Sequence, residues 1–209
     1  MTQQVFIDSN IEDKTTLANI VAAVNVFLGR LKPGVKAFVG TPLHTDPSTL
    51  LVHITQDKRH VGANGYHILL NGEPVSYCLA LEAGHVYGHY LPKNNAHGEQ
   101  FTPSVVATVC HEIAEMLADG NVATYTQPDS HGHQWLLEPC DWVFGEYWVA
   151  TVNGNVCVFP NVALDSFHDL NGKAPFDLMG VVKAPFQRSA AGYAYYLDAA
   201  TKKLIPVTY

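Results

Sequence analysis

A chain of 209 residues, 47% hydrophobic and 15% charged, is long enough to bury a sizeable core and too apolar to stay disordered. Its formal net charge is −7 and no basic run exceeds two residues, so it offers no positive footprint to a nucleic acid. No apolar stretch approaches the roughly 20 residues of a membrane-spanning helix. Met1-Thr2-Gln3-Gln4 is not a basic segment ahead of an apolar run, so a soluble chain without a signal peptide is expected, cytoplasmic by default, although export by another route would leave the same N-terminus.

The first element is an amphipathic helix, because Leu17, Ile20, Val21, Val24 and Leu28 recur at helical spacing and Lys32-Pro33-Gly34 stops them. Short apolar runs follow at 35–39, 50–54, 67–70 and 74–80, the last two joined by Asn71-Gly72, a strong hairpin signal. A further strand is expected over 85–90. Thr102-Pro103 then opens a second helix, with Thr102 as its cap, Val106, Val109, Cys110, Ile113 and Leu117 on one side, and Gly120 as its stop. Beyond it lie a hairpin turning at Asn153-Gly154 and another joining 193–197 to 204–207. Cys78, Cys110, Cys140 and Cys157 lack Cys-x-x-Cys spacing; free buried thiols are expected, and Cys140 with Cys157 is the pair to examine for a bridge.

These elements describe a single α+β domain over 1–209. A small twisted mixed sheet packs on the N-terminal helix and the central helix in 1–120, and 121–209 is rich in loops and hairpins. No repeat, low-complexity tract or linker divides it.

The chemistry lies in His111-Glu112-Ile113-Ala114-Glu115. Residues four apart on a helix stand one turn above each other, so His111 and Glu115 present a nitrogen and a carboxylate from one face, opposite the apolar stripe. The helix could therefore bury one side and offer the other to a cleft, although a solvated polar face would read the same. A second cluster, Glu138-Pro139-Cys140-Asp141, follows a polar loop carrying Asp129, His131 and His133. In zinc peptidases a helix with His-Glu-x-x-His gives two ligands and a later glutamate the third, while an acidic residue nearby orients a ligand histidine. Here the second histidine is Glu115.

The pattern His-Glu-x-x-Glu, an aspartate four residues on, then Glu-x-x-Asp resembles bacterial zincin-like proteins of gluzincin type, and more distantly the plant phosphate-induced (Exordium-like) proteins. Val158-Phe159-Pro160, 175–180, Ala184-Pro185-Phe186 and Gly192-Tyr193 extend the likeness, which covers about half the chain, from Val105 to Tyr195. The relatives often have Asp-Pro where this chain has Asp119-Gly120. The resemblance implies a zincin-like fold with the metal helix under a twisted sheet. It also implies His111, Glu115 and Glu138 as metal ligands and Glu112 as general base.

One histidine and two carboxylates balance a divalent charge; Zn²⁺ accepts such a set, and the harder oxygens also admit Mn²⁺ or Ca²⁺. The added negative charge should make a bound water less acidic. Asp141 is the candidate to hold His111 by its other ring nitrogen, and Asp119 to bind the metal, orient a ligand or cap the loop, the last two being favoured. His131 and His133, which share one side of an extended segment, are further candidate ligands, or simply a polar loop. His97 and His168 have weaker claims, and the remaining histidines, His67 among them, read as ordinary strand or loop residues. Three functions follow: a metal-dependent peptidase acting on peptides or proteins, a binding protein that keeps the metal as a staple, and a chain without metal. The oligomeric state is not legible.

Overall fold

A computed structural model describes residues 3–42, 49–56, 64–79, 85–94, 98–102, 104–120, 124–129, 131–198 and 200–207, with backbone alone for 89–94 and 98–102. His44, His60, His97 and Pro103 lie outside them.

The chain is α+β, with a five-stranded mixed sheet. Strands β1 (Gln4–Ser9), β2 (Lys36–Val39), β3 (Thr49–Thr55), β4 (Gly65–Leu70) and β5 (Glu73–Leu79) take the order β2-β1-β3-β5-β4. The β1–β2, β1–β3 and β3–β5 pairs are parallel, and β4 runs antiparallel to β5 as the edge. Sequence reading omits β1, which is central, and with it the parallel pairing. The Asn71-Gly72 hairpin is as expected: both residues have positive φ, 55° and 86°, the turn whose twist matches that of paired strands.

Helix α1 (Lys14–Leu31) is capped by Asp13, whose side chain accepts from the amides of Thr15 and Thr16. Helix α2 (Val105–Ala118) is capped by Ser104, whose Oγ accepts from the Ala107 amide, and not by Thr102, which belongs to a strand. That strand, β7 (Gly98–Thr102), pairs with β6 (His89–Asn94), where sequence reading placed one strand over 85–90. Both helices pack on the sheet and on each other, and their apolar stripes meet Val5, Ile7, Leu50, Val52, Ile54 and Cys78 in one core. That core also takes in Cys140, Cys157, Phe159 and Val162 from the second half. None of the described helices is long and apolar enough to cross a membrane.

The second half adds β8 (Gln134–Trp135), β9 (Tyr147–Val152), β10 (Asn155–Pro160), β11 (Ala194–Leu197) and β12 (Leu204–Val207). β9 and β10 form the hairpin predicted at Asn153-Gly154, with β10 against α2, while β11 pairs with both β12 and β8. A smaller core of Trp135, Trp142, Val143, Phe167, Phe176 and Val182 fills this half. All four cysteines are buried and free.

Candidate metal centre

Helix α2 is buried on nearly every side, so its polar face does not open onto solvent as the helical wheel alone suggests. Glu112 and Glu115 are each only 4% exposed, which overturns the reading of a solvated helix face. Two segments cover it: the edge strand β4, and the Glu138–Asp141 stretch leading into a short 3₁₀ turn at Asp141–Val143.

Strand β4 brings a residue that sequence reading set aside. Side chains alternate along a strand, and the register places His67 beside Ser76, Ser76 beside Val52 and Val52 beside Ile7, a row on the sheet face that carries the helices. Gly65, two residues earlier on the same face, makes the approach possible. A Cβ there would lie 2.6 Å from Glu112 Oε1 and 2.8 Å from Thr108 Cγ2. With that space left open, His67 Nδ1 reaches 3.2 Å from Glu112 Oε2 and 3.7 Å from Glu115 Oε2, and its Nε2 stands 3.9 Å from Glu138 Oε1. A second imidazole thus reaches the helix carboxylates from the sheet edge.

Glu115 is the hub. Its Oε2 faces His67, and its Oε1 lies 2.9 Å from His111 Nε2. The latter is an ion pair that is not aligned as a hydrogen bond, so Oε1 is a buried acceptor that no hydrogen bond satisfies. Asp141 Oδ1 lies 3.4 Å from the same Nε2. Asp141 and Glu115 thus approach one and the same ring nitrogen of His111. His67, Glu115 and Glu138 offer ligand atoms within 4.8 Å of one another, as do His111, Glu115 and Cys140. The three ligands expected from sequence do not stand as one trio: Glu138 faces His67, His111 faces Asp141, and Glu115 joins them.

The electrostatics follow from burial. Removal from water, then the charge of Glu115, pushes the Glu138 carboxyl up to about 9; burial, opposed by the charge of His111, leaves Glu115 at about 8. For His111, burial favours the neutral ring, but the negative charges around it, Glu115 first, outweigh that and raise it well above an ordinary histidine. His67 is raised in the same way against burial, by its hydrogen bond to Glu112 and the charge of Glu138.

Asp119 is fully buried at the end of α2, where its Oδ2 accepts from the Thr124 amide. It ties the helix terminus to Thr124, and its charge acts on His67 and Glu138. His131 and His133 gather on Asp129 at a different cleft, beside Trp135 and Tyr196. His168 packs in the smaller core against Trp142, Phe167 and Phe186.

A cavity of about 250 Å³ opens beside the centre, lined by His111, Glu112, Asn64 and Gly65 from the β4 side, and Tyr147 and Tyr193 opposite. Burial pushes the hydroxyls of both tyrosines up, so both stay protonated donors, and the charge of Asp141 adds to the effect on Tyr193. Compared with family models, curated proteins and solved structures, the chain has no match.

Proposed function

We propose that this chain is a metal-dependent hydrolase of the peptidase class, its divalent ion held around Glu115 by His111, Glu138 and His67. One observation carries the reading: His67 Nε2, Glu115 Oε1, Glu138 Oε2 and Asp141 Oδ1 are all buried without a hydrogen-bond partner. Each orphan of this kind costs about 1–3 kcal/mol, and these lie in and beside two donor groups that share Glu115, His67–Glu115–Glu138 and His111–Glu115–Cys140, an arrangement an ion satisfies. Ligands at about 2.0–2.2 Å from a tetrahedral ion stand about 3.3–3.6 Å apart, within the 2.9–3.9 Å range that the Nε2 atoms of His67 and His111 make with the carboxylates. Two imidazoles with carboxylates suit Zn²⁺, and the oxygen-rich set also accepts Mn²⁺.

A bound ion would supply an activated water and polarise a carbonyl. Glu112 commits Oε2 to His67 and keeps Oε1 beneath Gly65 at the cavity, where it can take a proton. Its hydrogen bond to His67 Nδ1 also fixes that ring so that Nε2 is the free nitrogen, as acidic partners of ligand histidines commonly do. The peptide class is supported by β4: it is the sheet edge, its first residue, Gly65, borders the cavity, and an extended chain can add to such an edge through main-chain hydrogen bonds.

Depth of burial favours a second reading. The side chains of His67, Glu112 and Glu115 are 5–6% exposed, as in an ion that staples the fold. Elemental analysis of protein purified without added metal, followed by peptide-library hydrolysis with wild type and Glu112→Gln, separates the two. A hydrolase binds metal in both forms and loses turnover by at least about 10²-fold in the variant. A staple binds metal, melts lower on chelation and cleaves nothing. No metal in either form sinks both.

A further inference from the structure

The loop ahead of β8 holds a second group of donors, built independently of the central one. Its backbone is closed on itself: the Asp129 amide donates to the His133 carbonyl at 2.9 Å, and the Gly132 amide to the Asp129 carbonyl at 2.9 Å. Gly132 turns the chain at φ 83°, a conformation glycine adopts without strain. Further down, Thr126 and Trp135 are joined by an amide-to-carbonyl bond of 2.8 Å, so the segment is an anchored hairpin tip and not a free polar loop.

At that tip the carboxylate of Asp129 is fixed by three donors. Oδ1 accepts from the amides of His131 and His133 at 2.8 and 2.9 Å, and Oδ2 accepts from Trp135 Nε1 at 3.0 Å. A carboxylate oxygen has a further lone pair, and both imidazoles are turned toward Oδ2. His133 Nδ1 is 3.4 Å away and His131 Nδ1 is 4.0 Å away. The two rings stack with centroids 5.9 Å apart and 24° between planes, while Tyr196 and Trp135 pack against His133 at 4.3 and 5.7 Å. The three donor atoms all lie within 4.8 Å of one another.

We propose that Asp129, His131 and His133 form a second metal site, distinct from the centre on α2. Its chemistry is that of a borderline transition cation. Two imidazole nitrogens favour Zn²⁺, Ni²⁺ or Cu²⁺ over Ca²⁺ or Mg²⁺, which need more oxygen ligands. The amide bonds from His131 and His133 hold the Asp129 carboxylate in place between the two rings. The Trp135 hydrogen bond orients the carboxylate as a ligand's outer partner should. The His131 side chain is 77% exposed, so an ion enters directly from solvent. Three protein ligands leave coordination positions open, and the site borders a cleft of about 710 Å³ that contains Arg188 and Phe186. The ion would therefore present its open side to whatever anionic or aromatic group that cleft receives.

Trp135 is a built-in reporter, since it touches both Asp129 and His133. Full-length, metal-free protein is titrated with Cu²⁺ while tryptophan emission is followed, and Zn²⁺ stoichiometry is measured by calorimetry. Wild type should show a saturable quench that His131→Ala/His133→Ala shifts to at least tenfold higher Cu²⁺, with one fewer Zn²⁺ bound. Asp129→Asn keeps the acceptor for both amides and should weaken binding in the same direction, which tests the site without relying on the double variant's fold. Superimposable quench curves for wild type and the double variant, or equal Zn²⁺ counts, overturn the site whatever the central centre does.

Discussion

His67 and Glu112 are separated by 45 residues in sequence, yet the Nδ1 of one stands 3.2 Å from the carboxylate of the other. An edge strand and a central helix are thereby joined at the point where the donor atoms gather. The first predictions concern that junction.

Gly65→Ala places a methyl group 2.6 Å from Glu112 Oε1 and 2.8 Å from Thr108. The strand must lift or Glu112 must turn away, and either change moves His67 relative to Glu115. Metal affinity should fall by about 10–100-fold, the range for disturbing a ligand's supporting contacts. Competition with a chromogenic chelator measures it. Unchanged affinity would show that β4 does not position a ligand.

His67→Ala should weaken metal binding by at least the same order, and the loss should exceed that of His168→Ala, whose ring lies in the smaller core. If His67→Ala retains full affinity while Glu138→Gln does not, the ion is held without the edge strand.

His168 contributes to acid sensitivity. Burial pulls its pKa down to about 4, and its Nε2 has no hydrogen-bond partner among the described residues. The unfolded chain takes up this proton near pH 6.5 and the folded chain only near 4. The neutral buried ring therefore contributes fully above about pH 6.5, and that stability is lost as pH falls toward 4. Urea midpoints at pH 7.5 and 5 should differ less in His168→Phe than in wild type. Equal pH slopes would exclude His168 as the source.

Asp177 acts in a lower window. It is 1% exposed and accepts from Asn161 Nδ2 at 2.7 Å and from the amides of Val182, Met179 and Val181. Burial alone would raise its carboxyl, but these bonds outweigh it and lower the pKa below the ordinary 3.8. Its contribution is present above that value and lost as pH falls through the folded one. Asp177→Ala should cost about 2–4 kcal/mol at neutral pH by leaving buried donors unpaired. Denaturant melts check the loss, and the acid limb below pH 4 should flatten with it.

Local signals were legible in the sequence and long-range ones were not. The apolar periodicity of α1 and α2 and the Asn-Gly turns announce themselves within a few residues, and the structure has both helices and both hairpins. Strand β1 is short and alternating, with Val5 and Ile7 buried, and only its parallel partners give it a place. The same distance hid His67. Its strand was readable, but which of its faces meets α2 depends on β3 and β5 lying between it and β1. The roles of Glu115 and Asp141 also depended on approach. Spacing brings His111, Glu115, Glu138 and Asp141 to one region, but only coordinates show Asp141 and Glu115 meeting the same nitrogen.

Gly192 sits against the backbone of the turn that carries Asp141: a Cβ there would be 2.1 Å from the Trp142 carbonyl oxygen, and the next residue, Tyr193, donates its amide to the Asp141 carbonyl at 2.9 Å. The last stretch of the chain is thus a clamp on the acidic side of the centre, closed to any residue larger than glycine at that position. A polar side chain at the centre can be exchanged for another donor of similar reach. Position 192 has no such alternative, and variation there should be tolerated less than at the candidate ligands.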